Sequence, residues 1–133
     1  GLVGSEMCIR DRKGISSYVE FVGVVKDVDR YLAQSKIFAF VSTSEGFPNA
    51  LGEAVLFPTA SISYNCPAGP EDIIRDDENG FLVPLGKVEE YATKLKMLME
   101  SEELRTRFEM NAVSDRSKYS MENIGESFFN FMF

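Results

Sequence analysis

The stretch IFAFVSTSEGFPNALGEA, residues 37–54, determines the predicted fold around it. Its apolar start, residues 37–41, predicts a fully buried β-strand. Asn49 is a favourable residue for the N-cap of a helix, and Pro48 helps to stop the strand from extending further. The predicted order is therefore strand, sharp loop and helix N-terminus. In an open α/β sheet, ligands bind at the carboxyl ends of the strands, and free backbone N–H groups at a helix start favour anions such as phosphate.

Two carboxylates lie in this stretch, Glu45 in the Gly/Pro loop and Glu53 in the predicted helix. Ionised carboxylates are strong acceptors for hydroxyl groups, so the pair need not be an acid/base dyad of the glycosidase kind. No Asp-x-Asp triplet lies nearby to hold Mg²⁺, so the stretch does not indicate a metal requirement. Each carboxylate also has a plainer interpretation: Glu53 can complement the helix dipole at the surface, and Glu45 can be a solvated loop residue.

Composition and charge exclude several classes of function for this chain of 133 residues. The formal net charge of −7 argues against a nucleic-acid or anionic-membrane surface, which needs clustered lysine and arginine. The absence of histidine excludes Ser-His-Asp and Cys-His catalysis within the chain, and two cysteines are too few for a disulfide or zinc framework. No run approaches the roughly 18 apolar residues of a membrane span. The composition fits a cytoplasmic α/β protein.

Strand and helix patterns alternate along the first two thirds of the chain. Strands are predicted at residues 18–22, 37–41, 60–64 and 81–83, and helices at residues 27–34, 49–56 and 72–74. Asp27 is expected to cap the first of these helices, with Val28, Tyr31 and Leu32 on its inner face. This order predicts a Rossmann-like parallel sheet that helices cover on both faces, with residues 37–41 as the central strand. Cys66 is expected to be a small buried apolar residue, and residues 76–78 a solvated acidic turn.

The last third of the chain is predicted to be helical. One helix reaches about residue 100, a second is capped by Ser101, and a third is capped by Ser120. The inward-facing residues of the first two are predicted to be Val88, Tyr91, Leu95, Leu98, Leu104 and Phe108.

Residues 1–12, GLVGSEMCIRDR, show neither helical nor strand periodicity and resemble a translated sequencing adapter. They are predicted to be a non-native tail. The alternative is a disordered native N-terminus.

The chain from Tyr18 to Phe133 resembles the C-terminal, donor-binding half of a retaining glycosyltransferase of family 4 (group 1) with a GT-B fold. The main match is the family's Glu-x7-Glu motif, which Glu45 and Glu53 complete. Three further matches follow the family's order and spacing: FVGV at residues 21–24, CPAGP at residues 66–70, and NGFLVP at residues 79–84. Residues 13–133 are accordingly expected to be a donor-binding domain that is truncated at both ends.

The resemblance implies roles for individual residues. Glu45 would be the catalytic residue, orienting the transferred sugar with its charge near the developing oxocarbenium ion, and Glu53 would accept hydrogen bonds from the ribose hydroxyls. Gly46 would let the backbone approach the donor closely. The other implied donor contacts are the backbone amides of Phe47, Asn49, Ala50 and Leu51, and, beside the nucleobase, Val24, Val25 and Lys26.

The implied reaction is transfer of a hexose or N-acetylhexosamine from a nucleotide-sugar donor to a glycan, polysaccharide or lipid-linked acceptor, with retention and without a metal or other cofactor. The acceptor would bind an N-terminal half that this sequence does not contain. A cytoplasmic location is implied, including the cytoplasmic face of the membrane for the full-length protein.

Two alternatives are a non-catalytic nucleotide-sugar-binding or interaction module of the same fold and an unrelated flavodoxin-like regulatory domain. Local departures from the family pattern are Pro58-Thr59-Ala60 in place of Gly-x-Pro, Asp72 in place of Glu, Asp77 in place of Gly and Lys87 in place of a capping Asp.

Overall fold

The structure is a computed structural model that describes residues 2–43, 49–67 and 69–118. Its elements in chain order are α1 (Leu2–Arg12), α2 (Val28–Gln34), β1 (Ile37–Phe40), α3 (Asn49–Ala54), β2 (Ala60–Asn65), α4 (Pro70–Ile73), β3 (Gly80–Pro84), α5 (Val88–Glu100) and α6 (Glu102–Lys118).

The three strands form one parallel sheet in the order β1-β2-β3, which confirms the predicted α/β class. The prediction that residues 37–41 form a fully buried central strand is wrong, because β2 is central and β1 pairs with β2 alone among the described residues. The side chains of β1 therefore stay partly open, and Val41, which follows the strand, is 62% exposed.

The main hydrophobic core lies on one face of the sheet. Ile62 and Phe81 are register partners and point to this face, where α5 and α6 cover them. Phe108 of α6 is fully buried and packs edge-on against Phe81, with ring centroids 4.9 Å apart. The core cluster consists of Ala60, Ile62, Tyr64, Phe81, Val83, Tyr91, Leu98 and Phe108.

The opposite face carries Ser61 and Gly80, a second pair of register partners. Ile74, directly after α4, packs here, because a Cβ placed on Gly80 would lie 3.0 Å from the Ile74 Cγ2 atom. Helix α4 contacts both β2 and α3, and α3 contacts β1. The small side chains of this face let α4 and its end approach the strands closely.

Tyr91 joins α5 to two strands through its hydroxyl group. The hydroxyl oxygen lies 3.2 Å from the carbonyl oxygens of both Phe40 and Ile62, to which it can donate. Burial raises the pKa of Tyr91 above its ordinary value, so the hydroxyl stays protonated and remains a donor. This contact ties the end of β1 to the helical layer.

Residues 18–22 are not a strand, contrary to the prediction. A strand needs a neighbour for its backbone hydrogen bonds, and these residues pair with none in the described part of the chain. The predicted inner faces are also partly wrong: Val28, Tyr31 and Val88 are exposed, whereas Leu32 and Tyr91 are buried as expected.

The two ends of the chain differ in how far the predictions can be followed. Residues 2–12 form helix α1, which the sequence pattern did not predict, and residues 5–9, 11 and 12 of this helix are exposed. In α1 the Arg10 guanidinium lies 5.3 Å from the centre of the Phe21 ring. That this segment is a non-native tail stays a prediction.

Ser101 caps α6 as predicted, since its Oγ accepts from the Leu104 N–H at 3.1 Å. The predicted helix capped by Ser120 lies outside the described residues.

Candidate functional site

The carboxyl edge of the sheet brings together the segments that follow the three strands. Residues 41–43 follow β1, Cys66 and Pro67 follow β2, and residues 85–87 follow β3. In a parallel sheet all these segments lie at the same edge, which is where ligands bind in open α/β folds. Glu45, Gly46 and Phe47, which belong to the loop between β1 and α3, lie outside the described residues.

Helix α3 begins at Asn49 and presents Glu53 to solvent. Leu51 and Ala54 are fully buried, whereas Ala50 and Glu53 are exposed. One side of this short helix is therefore packed against the fold and the other is open. Asn49 is the first residue of α3, so the prediction that it is the N-cap, the residue before the helix, is wrong. The Asn49 side chain is not among the described parts of the structure.

The carboxyl end of α3 is closed by a compact turn. The N–H groups of Leu56 and Phe57 donate to the carbonyl oxygens of Glu53 and Ala54, each at 3.1 Å. The Thr59 hydroxyl donates to the same Ala54 oxygen at 3.2 Å, and Thr59 is 3% exposed. Sequence reasoning missed this contact; its one available signal was the departure of residues 58–60 from the family's Gly-x-Pro.

The three residues predicted to lie beside a nucleobase precede α2, and the predicted strand at residues 18–22, after which they would lie, is not formed. Gly23 has a φ of 65°, and the side chain of the next residue, Val24, is fully exposed. Val25 is partly buried and Lys26 is exposed. Asp27 then caps α2, its carboxylate accepting from the Arg30 N–H at 3.3 Å, so the structure confirms its predicted capping role.

The loop after β2 contains Cys66, a free thiol that is 2% exposed. This confirms the prediction of a small buried apolar residue. Gly69 has a φ of 143°, in the region that favours glycine, and Pro70 begins α4 directly after it. Helix α4, which follows this loop, packs against β2.

The acidic turn at residues 76–78 lies at the opposite, amino edge of the sheet, before β3. Arg75 forms ion pairs with Glu78 at 2.6 Å and Asp115 at 2.7 Å, and hydrogen bonds to these two carboxylates raise the pKa of Arg75. Arg107 pairs with Asp77 at 3.0 Å. The turn is exposed to solvent, as predicted, and its carboxylates also form ion pairs with Arg75 and Arg107.

Asn79 completes this amino-edge turn. It is 6% exposed, its side-chain oxygen accepts from the Arg75 N–H at 2.7 Å, and its amide nitrogen donates to Asp115 at 3.0 Å.

No group of three or more metal-ligating side chains converges within the part of the chain that the structure describes.

The sequence model of the family "Glycosyl transferases group 1" matches residues 2–101, three quarters of the chain. The chain belongs to the group 1 glycosyl transferases. The match begins at the first residue of α1, and it includes β1, α3, the loop after β2 and β3.

Individual relatives agree with the family assignment. The amylovoran biosynthesis glycosyltransferase AmsD of Erwinia amylovora is 33% identical over 105 residues, which are 79% of this chain and 29% of AmsD. Among solved GT-B structures, a TarM variant of S. aureus in complex with fondaparinux, alpha-GlcNAc-glycerol and UDP superposes with a TM-score of 0.84 at 25% identity. That alignment covers 98% of this chain and 27% of TarM.

A third relative is a solved C-terminal domain. LpcC of Francisella tularensis, a group 1 family protein, aligns with a TM-score of 0.75 at 28% identity, over 90% of this chain and 63% of that domain. The group 1 chain described here spans less than a third of the length of the curated relatives it matches. Within the described residues, every helix is too short or too polar to cross a membrane.

Proposed function

We propose that this chain is the donor-binding part of a retaining family 4 glycosyltransferase that transfers a hexose or N-acetylhexosamine from a nucleotide sugar to a glycan or polysaccharide acceptor. The observation that carries the proposal is α3, which begins after the carboxyl edge of β1 in a parallel sheet, with Leu51 and Ala54 buried and Glu53 open to solvent. A helix held in this way can present a carboxylate to a ligand bound at that edge.

The proposed donor contacts follow the Glu-x7-Glu motif. Glu53 accepts hydrogen bonds from the ribose hydroxyls, which are donors that an ionised carboxylate binds strongly. Glu45 orients the transferred sugar and stabilises the developing positive charge. The amides around Gly46 and at the start of α3 contact the sugar or the diphosphate. This set comprises Phe47, Asn49, Ala50 and Leu51, with Val24, Val25 and Lys26 beside the base.

In the proposed reaction, the bond between the anomeric carbon and the diphosphate breaks, and the acceptor oxygen bonds to the same face of the sugar. The leaving phosphate takes the proton of the acceptor hydroxyl. No metal or other cofactor takes part in this proposal, since hydrogen-bond donors at the site can meet the charge of the leaving group. A cytoplasmic location, including the cytoplasmic face of the membrane, belongs to the same proposal.

The decisive experiment is the Glu45→Ala substitution in a full-length protein that contains this sequence. Turnover is expected to fall by about a hundredfold or more while donor affinity changes little, because a charge aimed at a developing cation matters most in the transition state. Glu53→Gln is the comparison variant and is expected to weaken donor binding. Equal losses of turnover and donor affinity in Glu45→Ala would contradict the role of Glu45.

The 133 residues alone are expected to show no sugar transfer and at most weak nucleotide-sugar binding. A net charge of −7 opposes a diphosphate, and a second half that would exclude water and position the acceptor is not in this sequence. Calorimetric titration with UDP-sugars and GDP-sugars, beside a transfer assay, measures both quantities. Micromolar binding or measurable transfer would show that the rest of the protein contributes less than proposed.

A further inference from the structure

Helix α3 is short, and its position depends on how its ends are held. Six residues are too few to form a stable helix in isolation. Buried Leu51 and Ala54 anchor one side, but apolar contacts are not directional and allow a short helix to rotate or slide. Its orientation needs a directional contact, such as a hydrogen bond with a fixed partner.

Thr59 supplies such a contact from the strand side. Its buried hydroxyl donates to the Ala54 carbonyl oxygen at 3.2 Å, and Ala54 is the residue after Glu53. The next residue, Ala60, begins the central strand, and its N–H donates to the Lys36 carbonyl oxygen at 3.1 Å. Thr59 therefore connects the last residue of α3 to the most firmly held strand of the sheet.

The hydroxyl is not needed to satisfy the Ala54 oxygen. The Phe57 N–H donates to the same oxygen at 3.1 Å, so this carbonyl keeps a partner when the hydroxyl is removed. Loss of the Thr59 hydrogen bond is therefore expected to leave the fold intact. Its main effect should be that the orientation of α3 is less fixed. This separates a positioning effect from a general loss of stability.

We propose that Thr59 is a positioning residue that orients Glu53 toward the ribose of the nucleotide. The inference rests on the proposed function, in which Glu53 accepts hydrogen bonds from the ribose hydroxyls. Carboxylate placement within about 0.5 Å decides whether such hydrogen bonds form, and a tilt of α3 is enough to lose them. Pro58-Thr59-Ala60 then supports α3 in this chain.

The test measures how strongly the ribose hydroxyls contribute to binding. A full-length protein that contains this sequence and its Thr59→Val, Thr59→Ser and Thr93→Val variants are titrated by NMR with UDP, GDP and their 2′,3′-dideoxy analogues. For the nucleotide that binds, the unmodified chain is expected to prefer the ribose form by about tenfold, the size of a lost hydrogen bond to a charged group. Thr59→Val is expected to reduce this preference to about threefold or less.

The other two variants are controls. Thr59→Ser keeps the hydroxyl and is expected to keep the preference within about twofold of the unmodified chain. Thr93→Val removes a comparable hydroxyl, which donates to the Glu89 carbonyl oxygen at 2.9 Å on the exposed side of α5, and is expected to leave the preference unchanged.

Three results would overturn the inference. The first is a full ribose preference in folded Thr59→Val, which would leave the proposed function standing. The second is a lost preference in Thr59→Ser, which applies even if Thr59→Val does not fold. The third is absent binding, or equal binding of ribose and dideoxy forms by the unmodified chain, which would also remove the proposed role of Glu53.

Discussion

Replacement of Gly80 by alanine tests the close approach between β3 and the elements beside it. Gly80 is the first residue of β3 and the register partner of Ser61 in β2. An added Cβ would lie 2.8 Å from the Ser61 carbonyl oxygen and 3.0 Å from the Ile74 Cγ2 atom, whereas ordinary contacts begin at 3.4 Å. Either the strand or its neighbours must therefore move by several tenths of an ångström.

The expected loss combines two opposing effects. Overpacking at a buried site typically costs about 1–3 kcal/mol, and here one of the two close atoms belongs to the backbone of the central strand and cannot rotate away. Gly→Ala also restricts the unfolded chain, which stabilises by about 0.4–1 kcal/mol. We therefore expect Gly80→Ala to lower the free energy of unfolding by about 1–2 kcal/mol.

Urea titration followed by circular dichroism measures this change, with an unchanged slope as evidence that the denatured state is the same. The matched variant pair is Ile74→Ala with and without Gly80→Ala. Removing the Ile74 side chain takes away one of the two contacts, so Gly80→Ala should cost less in that background, but not nothing. An alanine at position 80 that leaves stability unchanged or raises it would refute the reasoning.

Three further predictions concern stability. The Ser61 Oγ atom is buried without a hydrogen-bond partner in the described part of the chain, so Ser61→Ala is expected to stabilise by about 1 kcal/mol. Ser63→Ala, which loses a 2.7 Å bond from its Oγ to the Tyr64 carbonyl oxygen, should destabilise by about as much; the opposite order in urea titrations would contradict this. Asp77 has a φ of 61°, a conformation that glycine adopts more easily than alanine, so Asp77→Gly should be about 1 kcal/mol more stable than Asp77→Ala in thermal unfolding. Burial raises the pKa of Glu109, partly offset by Arg105, so the native state binds a proton more readily and loses stability as the pH rises through that pKa. Glu109→Gln should therefore raise the free energy of unfolding at neutral pH, but not at a pH below the ordinary pKa of glutamate. A difference between the two proteins that does not change with pH would exclude this cause.

Most of the strands and helices could be predicted from local patterns. Residues 60–64 and 81–83 are strands within one or two residues, and both Asp27 and Ser101 cap helices as expected. These features depend on residues close in the chain, through apolar periodicity and capping side chains. The failure at residues 18–22 has the opposite cause, because β-propensity cannot supply the neighbouring strand that a strand requires.

The candidate site divides in the same way. The Glu-x7-Glu spacing and the strand–loop–helix order can be read from residues 37–54, and the family match includes them. The exposure of Glu53 beside buried Leu51 agrees with the role that the resemblance implied, although the role itself stays a prediction. The link between Thr59 and Ala54 was not predictable, since a threonine before a strand has no pattern that names its acceptor.

The sequence by itself therefore determined the class of fold, the parallel order of the elements and the family, because these follow from patterns that short segments carry. Tertiary structure alone decided that β2 is central, that Gly80 must stay small and that Asp77 adopts a left-handed conformation. It also decided that Thr59 holds the end of α3. Each of these depends on which atoms meet once the sheet has formed, and contacts between Ser61 and Gly80 or between Arg75 and Asp115 join residues that no local pattern relates.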